Sequence, residues 1–116
     1  MYYVNTLYFG KYDGTTSTQY TFSWTPVTGT WYHLAVARSG TALKAFVNGI
    51  QIGTTQTTSL SFSRADTTTP FWIGRGGANG NLNHYFSGYL DDLRVTSGYA
   101  RYTANFIPPT AALPSF

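Results

Sequence analysis

Two residues near the middle of the chain, Asn48 and Gly49, constrain the fold more than any other feature. They stand between two runs rich in strand-forming residues, 43–47 and 50–54. A two-residue type I′ turn needs a positive φ at both positions, and Asn-Gly is the pair that adopts it most readily. The sequence therefore predicts an antiparallel β-hairpin at this point.

Further runs of strand-forming residues are separated by turn residues, at the spacing typical of a β-sandwich. Both faces of the run 31–38 are largely apolar, so we expect a central strand that is covered on both sides. Leu90 and Leu93 cannot share one face of a regular strand, which predicts a bulge or a change of face at Asp91 and Asp92. The other predicted strands are 2–9, 19–24, 71–74 and 85–96.

Composition excludes several alternatives. Charged residues make up 9% of the 116 residues and aromatic residues 18%, whereas an ordinary domain has about 25% charged residues. Coiled coils and disordered chains need the opposite balance, so the chain is predicted to be all-β. The length fits a single domain over 1–116. Without cysteine there is neither a disulfide framework nor a thiolate metal site.

The formal net charge is +3, but the basic residues are spread singly along the chain. No basic run of the kind found in nucleic-acid-binding arms occurs, so we expect no nucleic-acid partner. No apolar stretch reaches about 18 residues, so we expect no membrane insertion. The proline-rich end of the chain, with Pro108, Pro109 and Pro114, favours an extended segment lying across the surface.

Several blocks resemble one known family. Residues 31–36 and 43–49 are similar to the central strand and hairpin of laminin G-like domains, in the concanavalin A-like lectin/glucanase superfamily. Residues 71–74 and 86–95 resemble the final strands of the same domain. The ending 100–106 with Pro108 and Pro109 resembles laminin G-like modules common in bacteriophage tail and other virion-associated proteins.

The resemblance implies an antiparallel β-sandwich of jelly-roll type. The family's opening strands have no counterpart here, so we expect a sandwich trimmed at the N-terminus. An uncovered sheet edge tends to pair with another chain, which predicts self-association. The family also places His33 and Trp31 in the core, with Trp72, and we expect His33 to be hydrogen-bonded there.

The superfamily's glucanases, by resemblance, use two closely placed carboxylic acids, and glycoside cleavage requires such a pair. This chain has no glutamate, and its acids are Asp13, Asp66, Asp91 and Asp92. Neighbouring residues of a strand point to opposite faces, so Asp91 and Asp92 cannot converge on one bond. We therefore expect no enzymatic activity.

Asp91 and Asp92 have two interpretations. Related sandwiches bind Ca²⁺ near loop ends, but calcium takes six to eight oxygen ligands and this chain offers few carboxylates. We favour a structural role, in which an aspartate accepts backbone N–H groups or pairs with Arg94 or Arg101. On that interpretation the domain needs no cofactor.

The segment 75–85 is the predicted recognition loop. Its glycine-rich backbone would let a ligand approach closely, and its polar side chains suit sugar hydroxyls. A plain surface connection is the alternative, because Gly and Asn also mark turns. Trp24 shares a face with Tyr20 and Phe22, and is either core or a platform for sugar rings. The candidate ligand-binding residues are Arg75, Asn79, Asn81, Asn83, His84, Tyr85 and Trp24.

Together these features predict a non-catalytic carbohydrate-binding or surface-binding module of lectin type, located in a virion or outside the cell. Its expected partners are a glycan or cell-surface polysaccharide and further copies of the chain, in a homo-oligomer or larger virion assembly. The alternative is a structural virion protein, a decoration or tail component, that self-associates without binding a glycan.

Overall fold

A computed structural model describes residues 5–12, 15–59, 73–76 and 84–114. All regular structure in this part of the chain is β, with no helix and hence no helix that could cross a membrane. The prediction of an all-β fold is confirmed. The seven strands are β1 (Thr6–Tyr12), β2 (Ser17–Ser23), β3 (Leu34–Ser39), β4 (Ala42–Val47), β5 (Ile50–Thr57), β6 (Arg75–Gly76) and β7 (His84–Tyr85).

The strands form antiparallel sheets. The first sheet is the β1–β2 pair, in which Thr6 lies opposite Ser23 and Tyr12 opposite Ser17. The second sheet has the order β3-β4-β5, so β4 is its central strand. A third, two-residue pair joins β6 to β7.

The core lies between the first and second sheets. Phe22 of β2 packs with Leu43 and Ala45 of β4, and all three are at most 1% exposed. Burying a side chain of the size of Phe or Leu stabilises a fold by roughly 1.5–3 kcal/mol. Partly buried residues from both sheets surround this centre: Leu7, Phe9, Tyr20, Val36 and Ile52. The two sheets therefore pack face to face as a β-sandwich.

The hairpin predicted from Asn48 and Gly49 is confirmed. These residues join β4 to β5 with φ values of 50° and 80°, the two positive angles that a type I′ turn requires. Asn48 also holds the chain that enters β3. Its side-chain oxygen accepts the backbone N–H of His33 at 2.9 Å, and its own N–H donates to the His33 carbonyl at 2.8 Å.

A C-terminal strap, residues 102–108, covers the outer face of the second sheet. Phe46 of β4 points to that face and is completely buried, packed against Tyr102 and Phe106 with ring centroids 6.5 and 5.5 Å away. Tyr102 and Phe106 are themselves stacked at 3.6 Å. The strap forms no strand, so the prediction of an extended segment across the surface is confirmed.

Polar bonds fix the strap along its length. Lys44 Nζ donates to the Thr103 carbonyl at 2.7 Å, and the backbone N–H of Gln51 donates to Asn105 Oδ1 at 2.9 Å. The N–H of Phe106 donates to the carbonyl of Gly49 at 2.9 Å. The strap is thus anchored on β4, on β5 and on the turn between them.

The expectation that the strand near residue 31 is central and doubly covered is wrong. Among the described residues β3 lies at an edge of its sheet, and it begins at Leu34. Trp31 precedes it and is 66% exposed, so it is not a core residue. The strand covered on both faces is β4, because the first sheet lies on one side of it and the strap on the other. Trp72 lies outside the described residues.

The long strand predicted over 85–96 is also wrong. Regular pairing stops after Tyr85, and the following residues follow an irregular path. Asp92 has a φ of 50°, which is outside the strand region. The sequence pattern correctly located a disturbance at Asp91 and Asp92, but the disturbance belongs to non-strand backbone rather than to a bulge.

Other strand limits shift. β1 continues through Gly10, where the prediction ended it, because Gly10 pairs with Gln19. The strand predicted over 71–74 lies partly outside the described residues; Ile73 and Gly74 form a bend, and pairing occurs at Arg75 and Gly76 instead.

The turn and the strap generate a stability prediction. A Cβ at position 49 would overlap the carbonyl of Phe106, and Gly49 has a positive φ, so we expect Gly49→Ala to lower the free energy of unfolding by about 3 kcal/mol. Gly40 has a φ of +57° with nothing within 4 Å of the added Cβ, so Gly40→Ala should cost only about 1 kcal/mol. Urea denaturation of both variants measures the difference; equal losses would show that the strap does not press on the turn.

Candidate functional site

The irregular segment before the strap forms an open cleft of about 550 Å³ together with Leu113 and Pro114. We call it the C-terminal cleft. Its polar lining consists of Asp92, Arg94, Thr96, Ser97, Tyr99 and Arg101. The cleft therefore combines carboxylate, guanidinium, hydroxyl and aromatic groups on a surface that a ligand can reach.

Two contacts across the cleft hold its walls together. Asp92 Oδ2 accepts the backbone N–H of Leu113 at 3.3 Å, and Arg94 Nη2 donates to the carbonyl of Pro114 at 3.4 Å. The segment 92–101 and the end of the described chain are thus joined by hydrogen bonds from charged side chains.

Arg101 is held by two neighbours in the cleft. Its Nε donates to Thr96 Oγ1 at 2.7 Å, and its guanidinium carbon lies 5.4 Å from the centroid of the Tyr99 ring. Because an arginine has five N–H donors in a planar fork, a bond from Nε leaves the terminal groups to other acceptors. Tyr99 is 61% exposed, so much of its ring remains accessible beside the guanidinium.

Asp91 and Asp92 contact backbone donors. Asp91 Oδ1 accepts the N–H of Asp92 at 2.9 Å, while Asp92 bonds Leu113 as described above. Both residues are exposed. Among the described residues no three His, Cys, Asp or Glu side chains come together as metal ligands. These contacts are the ones expected for a structural role.

The predicted recognition loop is only partly described. β6 and β7 place Arg75 opposite Tyr85 and Gly76 opposite His84, and the Phe86 N–H donates to the Gly74 carbonyl at 2.8 Å. Tyr85 is 65% exposed. Asn79, Asn81 and Asn83 lie outside the described residues. The binding role of this loop stays a prediction.

Trp24 is half-buried at the end of β2. Its ring meets that of Tyr32 edge to face, with centroids 5.1 Å apart, and Tyr32 Oη accepts the backbone N–H of Val27 at 3.0 Å. The indole is therefore already packed against an aromatic neighbour. Its use as a platform for sugar rings stays a prediction.

The expected hydrogen-bonded side chain of His33 is a wrong prediction. Its buried Nδ1 has no hydrogen-bond partner in the described part of the chain. The ring lies 5.4 Å from Phe106 and 6.1 Å from Tyr102, both edge to face, so the strap surrounds it with aromatic rings instead of acceptors. The hydrogen bonds at this residue are made by its backbone with Asn48.

Sequence reasoning missed three members of the C-terminal cleft: Thr96, Tyr99 and Arg101 as binding residues. It assigned 85–96 to a strand and considered Arg94 and Arg101 only as partners for an aspartate. The available signal was the close spacing of two arginines, a tyrosine and two hydroxyl residues within 94–101. Their convergence depends on the irregular backbone, which no strand periodicity reports.

Comparison with protein families gives one assignment. A laminin G family model, described as the Concanavalin A-like lectin/glucanases superfamily, matches residues 3–101. This match covers most of the chain, so the chain belongs to that family, and the predicted superfamily is confirmed. No curated protein and no solved structure matches in the corresponding searches. The matched range includes Tyr99 and Arg101 and ends just before the strap.

The aspartate contacts generate a prediction about calcium. Because Asp91 and Asp92 bind backbone N–H groups, we expect the melting temperature to be the same in EDTA and in millimolar CaCl₂. Differential scanning fluorimetry measures this directly, with MgCl₂ as the control for ionic strength. A ligand that binds only the folded state raises stability with its concentration. A rise in melting temperature with calcium alone would therefore contradict the structural role.

Proposed function

We propose that the chain is a non-catalytic, lectin-type module that binds carbohydrate, and that the C-terminal cleft is its binding site. Domains of its family often bind carbohydrates, which makes a glycan the first ligand to consider. The observation that carries the proposal is the convergence of hydroxyl, carboxylate, guanidinium and aromatic groups in one accessible cleft.

The chemistry of the lining suits a sugar. A saccharide presents hydroxyl groups that both donate and accept, and C–H faces that pack on aromatic rings. Arg101 supplies donors, Asp92 supplies acceptors, and Thr96 and Ser97 supply hydroxyls that do both. The exposed ring of Tyr99 offers the apolar surface.

The absence of catalysis is part of this proposal. The superfamily also contains glucanases, but a glycosidase of the usual type needs an acid and a second carboxylate on either side of the scissile bond. The chain has no glutamate. Within the C-terminal cleft the only carboxylate is that of Asp92, which accepts the Leu113 N–H. A single engaged carboxylate supports binding rather than cleavage.

The proposed location is a virion or the extracellular space, and the proposed ligand is a glycan or cell-surface polysaccharide. The support is the resemblance of residues 100–106, with Pro108 and Pro109, to modules of virion-associated proteins. Such proteins meet cell-surface glycans, so the location and the ligand agree with each other.

A glycan-array screen tests the proposal. We expect the wild-type chain to bind at least one glycan, and Tyr99→Ala to weaken that binding about tenfold, or ~1.4 kcal/mol, by removing the stacking surface. Tyr89→Ala is the matched control, since Tyr89 is 85% exposed and does not line the cleft. Asn81→Ala and Tyr85→Ala test the predicted loop in parallel. Failure of the wild type to bind any glycan would reject the proposal.

A second candidate function is structural self-association, as a virion decoration or tail component. Large apolar side chains of the segment 85–95 are exposed: Tyr85, Phe86, Tyr89, Leu90, Leu93 and Val95. Concentrated exposure of this kind is typical of surfaces that contact another protein. This observation favours contact between copies of the chain.

Sedimentation velocity at micromolar concentration tests self-association. We expect the wild type to form a defined oligomer and Leu90→Lys to shift it toward monomer, because a buried charge at an interface without a partner is costly. Ile107→Lys is the control, since Ile107 is 91% exposed but lies in the strap. A wild type that stays monomeric, or equal dissociation by both variants, would rule out this function for the 85–95 segment.

A further inference from the structure

We infer that the C-terminal cleft selects acidic saccharides, which carry a carboxylate or sulfate group, and that Arg101 binds the acidic group. This inference rests on the proposed function and makes its ligand class specific.

The first argument is the charge of the lining. Arg94 and Arg101 contribute two positive charges, against one negative charge from Asp92. The Asp92 carboxylate accepts the Leu113 N–H, a contact that a carboxylate favours and that anchors it to the wall. The cleft is therefore positive on balance, in a chain whose net charge is +3.

The second argument is the geometry of Arg101. Its Nε bond to Thr96 and its position over the Tyr99 ring restrain the guanidinium from two directions. A guanidinium held in place loses less conformational entropy when it binds. Its terminal N–H groups match the two oxygens of a carboxylate or sulfate, a paired arrangement that is stronger than a bond to a neutral hydroxyl.

The third argument is what surrounds the guanidinium. Thr96 Oγ1 accepts the Arg101 Nε–H, so its own hydroxyl hydrogen can be donated outward to a ligand. Ser97 adds a second hydroxyl, and Tyr99 an aromatic surface. A simple anion would use only the arginine, whereas a sugar acid uses the hydroxyl and aromatic groups as well. The neighbours of Arg101 thus favour a saccharide over an isolated anion.

The test compares binding of three oligosaccharides of similar length by isothermal titration calorimetry. They are an oligogalacturonate with carboxylates, a sulfated dextran oligomer and a neutral dextran oligomer. We expect one or both acidic oligomers to bind at least tenfold more tightly than the neutral one. The carboxylate and sulfate arms show which acidic group the cleft prefers.

Two charge-matched variants assign the binding to the cleft. Arg101→Gln should weaken binding of the acidic oligomer about tenfold, and Arg101→Lys should restore only part of it, because lysine lacks the planar fork. Arg38→Gln removes the same charge from an exposed residue of β3 that does not line the cleft, so it should bind like the wild type. Equal melting temperatures confirm that the variants are folded.

The outcomes separate this inference from the proposed function. Tighter binding of the neutral oligomer would overturn the acidic preference and leave carbohydrate binding intact. No binding of any saccharide would overturn both. Equal losses in Arg101→Gln and Arg38→Gln would show non-specific charge attraction and overturn the assignment to the cleft. A single-stranded oligonucleotide bound as tightly, with the same dependence on Arg101, would overturn the choice of a saccharide.

Discussion

Burial of β4 on both of its faces is the constraint on which the rest of this structure depends. On one face Leu43 and Ala45 pack with Phe22 of the opposite sheet. On the other face Phe46 is buried by the strap, residues 102–108. A strand that is apolar on both faces is stable only if both are covered, so the strap completes the fold rather than decorating it. By fixing residue 102, the strap also fixes where Arg101 enters the cleft.

The cleft shows how a chain with few charges can still make a specific site. The whole sequence has seven basic and four acidic residues, and Asp92, Arg94 and Arg101 all line the cleft. The sandwich uses most of its aromatic residues for packing, while the polar recognition groups stand on irregular backbone beside it. This division is common, because a rigid scaffold can position variable loops without changing its core. Recognition and stability therefore rest on different residues.

Sequence reasoning succeeded where structure is local and failed where it depends on distant partners. The Asn48–Gly49 turn was predictable because its two positive φ angles are a property of those residues. The central position of β4, rather than β3, was not, since an apolar pattern does not show which strand has neighbours on both sides. The strand expected over 85–96 failed for the same reason. Its residues alternate well enough to pair, but regular pairing stops at Tyr85.

The sequence by itself determined the all-β class, the hairpin, the superfamily and the absence of the glutamates that a related glucanase would use. Only the tertiary structure decided that the strap covers Phe46, that His33 lies among aromatic rings, and that Arg101 and Tyr99 share a cleft with Leu113. The physical reason is the range of the interactions. Turn angles and strand preference are set within a few residues. Burial and a binding surface arise from contacts between segments far apart in the chain.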